Sequence, residues 1–345
     1  MKKMKTGKRK DKHIKLATQK KNQFKKTNLL EEVELIHNPL AGFELSEIDT
    51  ATSFLGEKFS FPLSVRPITG GTKKSFKFNK NIALACEKKG IGFSLGSMRT
   101  ALENKNKIKY FKMRKFCPEI FLEANIGALE LNKYSVQKID SFLNEIQADA
   151  ISVHLNPAQE LMQNPKAKGF SKQFSNIKKF AEESSFPVIV KEVGNGISFE
   201  TAKKLNSTKI KAIDVAGSGG TSFVKIDSAL YSRKRLSEVF GEFGIPTAAS
   251  VLMTKKASKK KIIASGGIRN GLEIAKSLIL GADLAGIATP ALIKAKKGEK
   301  AVEKLIEILE EELRISMFLC GAKNIQELKK KKAVLQNNLL EWNKP

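Results

Sequence analysis

Cysteine, arginine, acidic charge and long apolar runs are all scarce in this chain, and each shortage narrows what it can be. Its 345 residues hold only three cysteines. Cys86, Cys117 and Cys320 show no Cys-x-x-Cys spacing and cannot all pair with one another, so they fit buried thiols in a reducing cytoplasm. No run of about 20 apolar residues exists, which argues against a membrane span. Met1 to Lys21 is basic but has no apolar core, so it does not read as a secretory signal. Thirty-five acidic residues face 62 basic ones, for a formal charge of +27. Only eight of the bases are arginine, the better residue for planar phosphate recognition. Lysines are scattered through every helix, so the excess reads as a compositional bias, with no specific nucleic-acid partner.

What is present is a hydrophobic fraction of 41%, enough for a large core, and a regular alternation of short β-rich runs with helical stretches. The clearest stretch is Lys261 to Leu292. Lys261 to Ala264 is β-branched, Ser265-Gly266-Gly267 is a turn, and Asn270 or Gly271 opens a helix with Leu272, Ala275, Leu278 and Ile279 at helical spacing. Gly281 stops that helix, and Leu284 to Ala288 is the next strand. Earlier strands are predicted at Phe61 to Arg66, Gly90 to Phe93, Glu119 to Glu123, Ala150 to Val153, Pro187 to Val190 and Ala212 to Val215, with helices at 79–89 and 135–146. Eight such runs predict a parallel TIM (β/α)8 barrel. Residues 30–60 read as irregular, 223–258 as an insertion plus a helix, and 297–315 as a charged helix. The expected organisation is a mobile, solvated basic arm over 1–28, the barrel over 29–323 and a Lys-rich helical tail over 324–345.

In this fold the site lies at the C-terminal ends of the strands. There the chain offers Thr69, Ser97, Asn125, Lys191, Thr221 and Arg269, mostly neutral hydrogen-bonding groups and cations. That inventory suits an aromatic, phosphate-bearing cofactor better than a hydrolytic triad. The Ser265-to-Gly267 loop with Arg269, and the second half-site at Ala288-Thr289-Pro290, would cradle a phosphate. Lys191 can meet the electron-rich edge of a flavin, pair with a core carboxylate, or form a Schiff base. His154 and Asn156 share a face, with Gln159 and Glu160 just beyond. Glu160 is a hard oxygen ligand suited to Mg²⁺ with substrate phosphates.

RKDKHI, FLGEKFSFPLSV, TGGT, LGSMR, ANIGA, HLNPAQE, VKEVGNGIS, IDVAGSGGTS, GIPTAAS, SGGIRNGLEIAKSLILGADLAGIATP and GAKN occur in that order. In this the chain resembles the type 2 isopentenyl-diphosphate isomerases from about Arg9 to Asn324. The resemblance implies a flavin-dependent TIM barrel that interconverts isopentenyl and dimethylallyl diphosphate with reduced FMN as acid and base, Mg²⁺, and NADPH as the usual reductant, in a cytoplasmic homotetramer or larger. Carried over residue by residue, Arg9, Lys10, His13, Ser97, Arg99, His154, Asn156 and Gln159 would meet the substrate. Ile68, Thr69, Gly70, Ser97, Asn125, Lys191, Ser218, Thr221, Gly266, Gly267, Arg269, Ala288 and Thr289 would hold FMN. Glu160 would ligate Mg²⁺, and Gln159, His154 and Asp227 would serve the proton transfer.

The chain departs from the family pattern at several of these places. Arg66-Pro67 replaces small residues, Ile68 stands for Met, Met98 for Gln, Phe223 for Trp and Asp227 for Glu. The shorter carboxylate at 227 retreats by roughly one C–C bond, and misplacement of about 1 Å is costly. Two other readings compete with the isomerase. One is another FMN barrel oxidoreductase, which would want a base such as His, or a nucleophilic Cys, at a strand end; the other is a catalytically weakened barrel that binds polyanions.

Overall fold

β-Branched and apolar runs at regular intervals form eight parallel strands in a closed barrel: β1 (Leu63–Val65), β2 (Gly92–Ser94), β3 (Leu122–Gly127), β4 (Ala150–His154), β5 (Val188–Lys191), β6 (Ala212–Asp214), β7 (Lys261–Ser265) and β8 (Leu284–Ile287). The computed structural model describes residues 6–344; residues 1–5 of the expected arm, and residue 345, lie outside the described residues. Each strand pairs with its sequence neighbour and β8 closes on β1, with Gly286 opposite Ser64. This is the TIM (β/α)8 arrangement the alternation predicts.

The helices begin where the side chains can cap them. Ser135 accepts from the Lys138 amide to open Val136–Ile146, which buries Ile139, Phe142, Leu143 and Ile146. Asn270 does the same for Gly271–Ile279. Each cap satisfies an amide that the helix itself leaves unpaired. Helix Glu299–Leu319 buries Val302, Ile306, Leu309, Leu313 and Met317 at three- and four-residue spacing. It crosses helix Gly271–Ile279 so closely that a Cβ on Gly271 would stand 2.3 Å from the Leu313 amide nitrogen.

Several expectations need correction. β3 runs from Leu122 to Gly127, so Asn125 lies on the strand and not in a following loop. The helix predicted over 79–89 begins at Lys73, behind a Thr72–Ser75 capping box, and not at Asn79. Within 30–60 there is a hairpin, Thr52–Phe54 against Glu57–Phe59. Its Phe54 packs edge-on against Phe59 and Phe121, Phe59 meets Phe121 at a tilt, and the three plug the N-terminal end of the barrel. The tail is not purely helical: strand Ala333–Leu335 pairs antiparallel with Val33–Leu35, between helices Ile325–Lys330 and Asn337–Asn343. Within the arm, Thr6–Ala17 is a helix, not a solvated coil, and it buries Lys10, His13, Ile14 and Ala17.

Inside the barrel the inward residues form unlike layers. The lowest is apolar: Phe121, Ala150, Ile189, Ala212, Ile263 and Leu284. Two residues further along each strand the interior turns polar, with Ser64, Ser94, Glu123, Ser152, Lys191, Asp214 and Ser265 all buried. A barrel interior is ordinarily filled by branched aliphatics, so this polar layer persists only because its members satisfy one another. Arg66 is at its centre. Its Nε donates to Asp214 Oδ2 (2.9 Å), Nη1 to Glu123 Oε2 (2.6 Å) and Ser94 Oγ (2.8 Å), and Nη2 to Glu123 Oε1 (2.8 Å). Above it, Asn125 and His154 lead into the mouth.

Candidate active site

A cavity lies at the C-terminal mouth of the barrel and is roofed by helix Thr6–Ala17. It gathers residues from nearly every strand end. Arg9, Lys10, His13, Ile68, Thr69, Ser97, Arg99, Asn125, His154, Asn156, Gln159, Glu160, Lys191, Thr221, Gly266, Gly267, Arg269, Ala288 and Thr289 all line it. Three expected site residues do not. Gly70 is packed against the backbone of Gly96, where a Cβ would stand 3.0 Å from the Gly96 carbonyl oxygen. Ser218 is fully buried in the loop after β6, where its carbonyl accepts from Thr247. Asp227 is buried behind the wall. Met98 is also buried away from the cavity, its amide held by the Asn125 carbonyl. The sequence reading missed two lining residues with clear contacts, Arg66 and Gln163. Gln163 was detectable: it is four residues from Gln159 on helix Pro157–Gln163, hence on the same face.

One wall is cationic. Lys10 Nζ donates to the Ser97 carbonyl at 2.6 Å and reaches Thr100 Oγ1 at 3.5 Å, with no carboxylate bonded to it. Burial, then the nearby Arg9 and Arg99, pull its pKa down to about 7. Arg99 bonds Glu103 at 2.8 Å and Glu130 at 3.3 Å. His154 Nδ1 is 2.7 Å from Asn125 Oδ1. Burial, then Lys191, Lys10 and Arg99, hold the imidazole neutral, with a pKa of about 3. An incoming dianion would oppose all of those cations and favour the imidazolium, which donates from both nitrogens. A Cβ on Gly127 would meet His154 Nε2 at 3.1 Å, so that glycine leaves the ring its place.

Lys10 gives a pH test with a definite sign. A lysine whose folded pKa is lowered binds fewer protons than the unfolded chain between about pH 7 and its ordinary value. The free protein therefore gains stability from this group as pH rises through that window. Anion binding runs the other way, because it needs the ammonium. The KM of a diphosphate substrate is expected to rise above about pH 7, by up to about tenfold per pH unit. Steady-state kinetics on Lys10→Met should show a raised KM without that rise; an unchanged profile would remove Lys10 from the anion site.

A second cluster sits between the arm and the wall. Asp227 accepts from His13 Nε2 (2.8 Å), Gln159 Nε2 (2.8 Å) and Gln163 Nε2 (3.0 Å). Since the carboxylate can only accept, His13 carries its proton on Nε2. Arg9 donates to Gln163 Oε1. Asn156 Nδ2 bonds Gln159 Oε1 (3.0 Å) and Glu160 Oε1 (3.1 Å). Phe223 lines the cavity and meets the His13 ring edge-on, 5.7 Å between centroids. His13, expected on the substrate, is thus bonded to Asp227, and through it to Gln159.

The opposite wall is backbone-rich. Gly266 and Gly267 have φ of +107° and +83°, and a Cβ on either would strike the 217–219 backbone within 2.7 Å. Thr221 and Thr289 share a hydroxyl bond of 2.7 Å beside Arg269. Thr69 Oγ1 is buried in the wall with no partner. Lys191 Nζ lies 3.7 Å from Asp214 Oδ2 at the floor, so it both faces the cavity and pairs with a core carboxylate. A glycine-lined backbone, paired hydroxyls, an arginine and a floor lysine fit a flavin mononucleotide: anionic at one end, aromatic and hydrogen-bonding at the other. The unpartnered Thr69 hydroxyl is the kind of group such a ligand completes.

A closed parallel barrel with this cradle at its C-terminal mouth defines a flavin-binding TIM barrel. Residues 129–335 match the family described as FMN-dependent dehydrogenase. In fold the chain is similar to a mandelate oxidase solved with (S)-mandelic acid, at a TM-score of 0.67 and 17% identity over 94% of each chain. Over 345 aligned residues it is 39% identical to the isopentenyl-diphosphate delta-isomerase of Methanocaldococcus jannaschii, covering 97% of this chain and 96% of that protein. It is 38% identical to the enzyme of the same description from Rickettsia bellii, covering 94% and 96%. The chain belongs to the isopentenyl-diphosphate delta-isomerase family.

Proposed function

We propose that this chain converts isopentenyl diphosphate to dimethylallyl diphosphate with reduced FMN and Mg²⁺. The observation that carries this is the pairing of two unlike walls in one cavity: a cationic wall that includes the carboxylates of Glu130 and Glu160, and a flavin cradle. Moving the double bond places a proton on one carbon and takes one from a carbon two bonds away, with no net redox change. When bound, reduced FMN supplies the acid and base for that shift.

The chain's own residues bind, orient and exclude. Arg9, Lys10, Arg99 and His154 neutralise and fix the diphosphate, which holds the alkene in one pose. Glu160 would hold Mg²⁺ together with substrate oxygens and water; a divalent ion bridging phosphates needs few protein ligands. Among the described residues no group of three His, Cys, Asp or Glu forms a cage of its own. Gln159, held by Asn156 and Asp227, lies against the isoprenoid carbons, and Phe223 with the arm helix keeps water out. The rival oxidoreductase reading wants a histidine base or a nucleophilic cysteine at a strand end; no cysteine among the described residues lines this cavity, and His154 is engaged by Asn125 at 2.7 Å. NADPH as reductant, a homotetramer or larger and a cytoplasmic setting complete the proposal. No helix among the described residues is long and apolar enough to cross a membrane.

The test is an anaerobic assay of purified protein with FMN, dithionite or NADPH, Mg²⁺ and isopentenyl diphosphate. Dimethylallyl diphosphate is expected with reduced FMN, and not with oxidised FMN or after removal of Mg²⁺ by EDTA. Turnover with oxidised FMN, or none under any condition, would overturn the proposal.

A further inference from the structure

The polar layer under the cavity has a direction. Arg66 and Lys191 reach the cavity wall, whereas their counter-ions, Glu123 and Asp214, are fully buried and form no part of it. Arg66 grips Glu123 through two nitrogens, at 2.6 and 2.8 Å, and Asp214 at 2.9 Å. Lys191 is left 3.7 Å from the same Asp214 oxygen. Asp214 accepts in addition from Ser265 Oγ at 2.6 Å. The four charges sum to zero, yet the positive ones face the cavity and the negative ones lie beneath. Gly286 makes room for this: a Cβ there would stand 2.5 Å from Arg66 Cγ.

Buried ion pairs of this kind are poor stabilisers, since desolvation offsets most of their attraction. A network kept at the floor of a cofactor cavity, where apolar packing would serve stability as well, points to a use of its field.

We propose that Arg66 is an electrostatic positioning residue for the flavin: with Lys191 it presents a fixed positive face that favours the reduced, anionic cofactor over the oxidised one. This rests on the flavin reading above. Two electrons and one proton convert the neutral isoalloxazine into its reduced anion, so a positive floor stabilises the product of that step. Arg66 also occupies the nearer side of Asp214, which leaves the Lys191 charge less neutralised.

The test is an anaerobic dithionite titration of bound FMN against a reference dye, for the parent and three variants. Arg66→Met/Glu123→Gln removes one charge of each sign, and with them the polarity. It is expected to lower the preference for reduced over oxidised FMN by roughly tenfold. Glu123→Gln alone removes a negative charge and is expected to raise that preference. Arg66→Lys keeps the charge and is expected to stay near the parent. Opposite shifts in the first two are the signature of the field; a packing role would move both the same way or neither. If the double variant does not fold, the Glu123→Gln and Arg66→Lys pair decides by the same signs. A parent that takes up no FMN overturns the flavin reading. A parent that binds FMN, with the preference unchanged in the variants, overturns only the role of Arg66.

Discussion

Asp227→Asn is expected to lower kcat by roughly two to three orders of magnitude while FMN binding stays close to the parent's. Asp227 is buried and outside the cavity lining, so its loss should not touch the cofactor. It nevertheless fixes three groups that line the cavity. Oδ1 takes the His13 proton, and Oδ2 takes one each from Gln159 and Gln163. An asparagine has one accepting oxygen and one donating nitrogen. Whichever way it turns, an NH2 group faces either His13 or two glutamine amides. Gln159 is then released from its place in the cavity wall, and the arm helix loses the bond that holds His13 down. Asp227→Glu, which restores the family's usual side chain, keeps the charge but must push these donors back, so an intermediate kcat is expected. Steady-state kinetics with flavin absorbance measured alongside would check this. A change confined to KM would mean that Asp227 serves only to seat the arm.

Arg66→Met alone should be the most destabilising single change in the barrel interior, by about 3–5 kcal/mol. It strands Glu123 and Asp214 in a dry interior. Burial already opposes ionisation of Asp214, and Arg66 and Lys191 more than offset that, holding its carboxyl below the usual range. Without Arg66 each carboxylate must either stay charged and unpaired or take up a proton. Adding Glu123→Gln should return most of the lost stability, because the amide is neutral and still bonds Ser152. Urea unfolding of the parent, single and double variants measures this directly. Equal losses in the single and the double would show that Arg66 contributes by filling space and not by pairing.

Both expectations rest on contacts that lay partly beyond the reach of the sequence. The eight strands were legible because each is a short β-rich run closed by a polar or Gly-rich end, and helices such as Gly271–Ile279 announce their caps. The strand-end residues of the flavin cradle were legible for the same reason: position on the barrel follows from order along the chain. Residues whose role depends on a distant partner were not. Arg66 stands out in sequence only as a bulky departure; that it meets Asp214, 148 positions away, is a property of the closed barrel. The family resemblance assigns Asp227 to proton transfer, as it stands where Glu is usual, but its neighbours on the folded chain put it behind the cavity wall. The arm read as a charged coil because its lysines dominate the composition. Yet Lys10, His13, Ile14 and Ala17 lie three or four residues apart on one helical face, and the barrel mouth gives that face something to cover. Strand Ala333–Leu335 is three residues long and follows a run of lysines, so only its pairing with Val33–Leu35 reveals it.

The most direct measurement is the number of product molecules formed per flavin. FMN on the purified protein is reduced anaerobically to one equivalent, excess reductant is removed, and isopentenyl diphosphate and Mg²⁺ are added. Dimethylallyl diphosphate should accumulate far beyond one equivalent while the visible spectrum stays that of reduced flavin. Product limited to one equivalent or less, or reoxidation of the flavin in step with substrate loss, would show that this barrel performs a redox reaction and not an isomerisation.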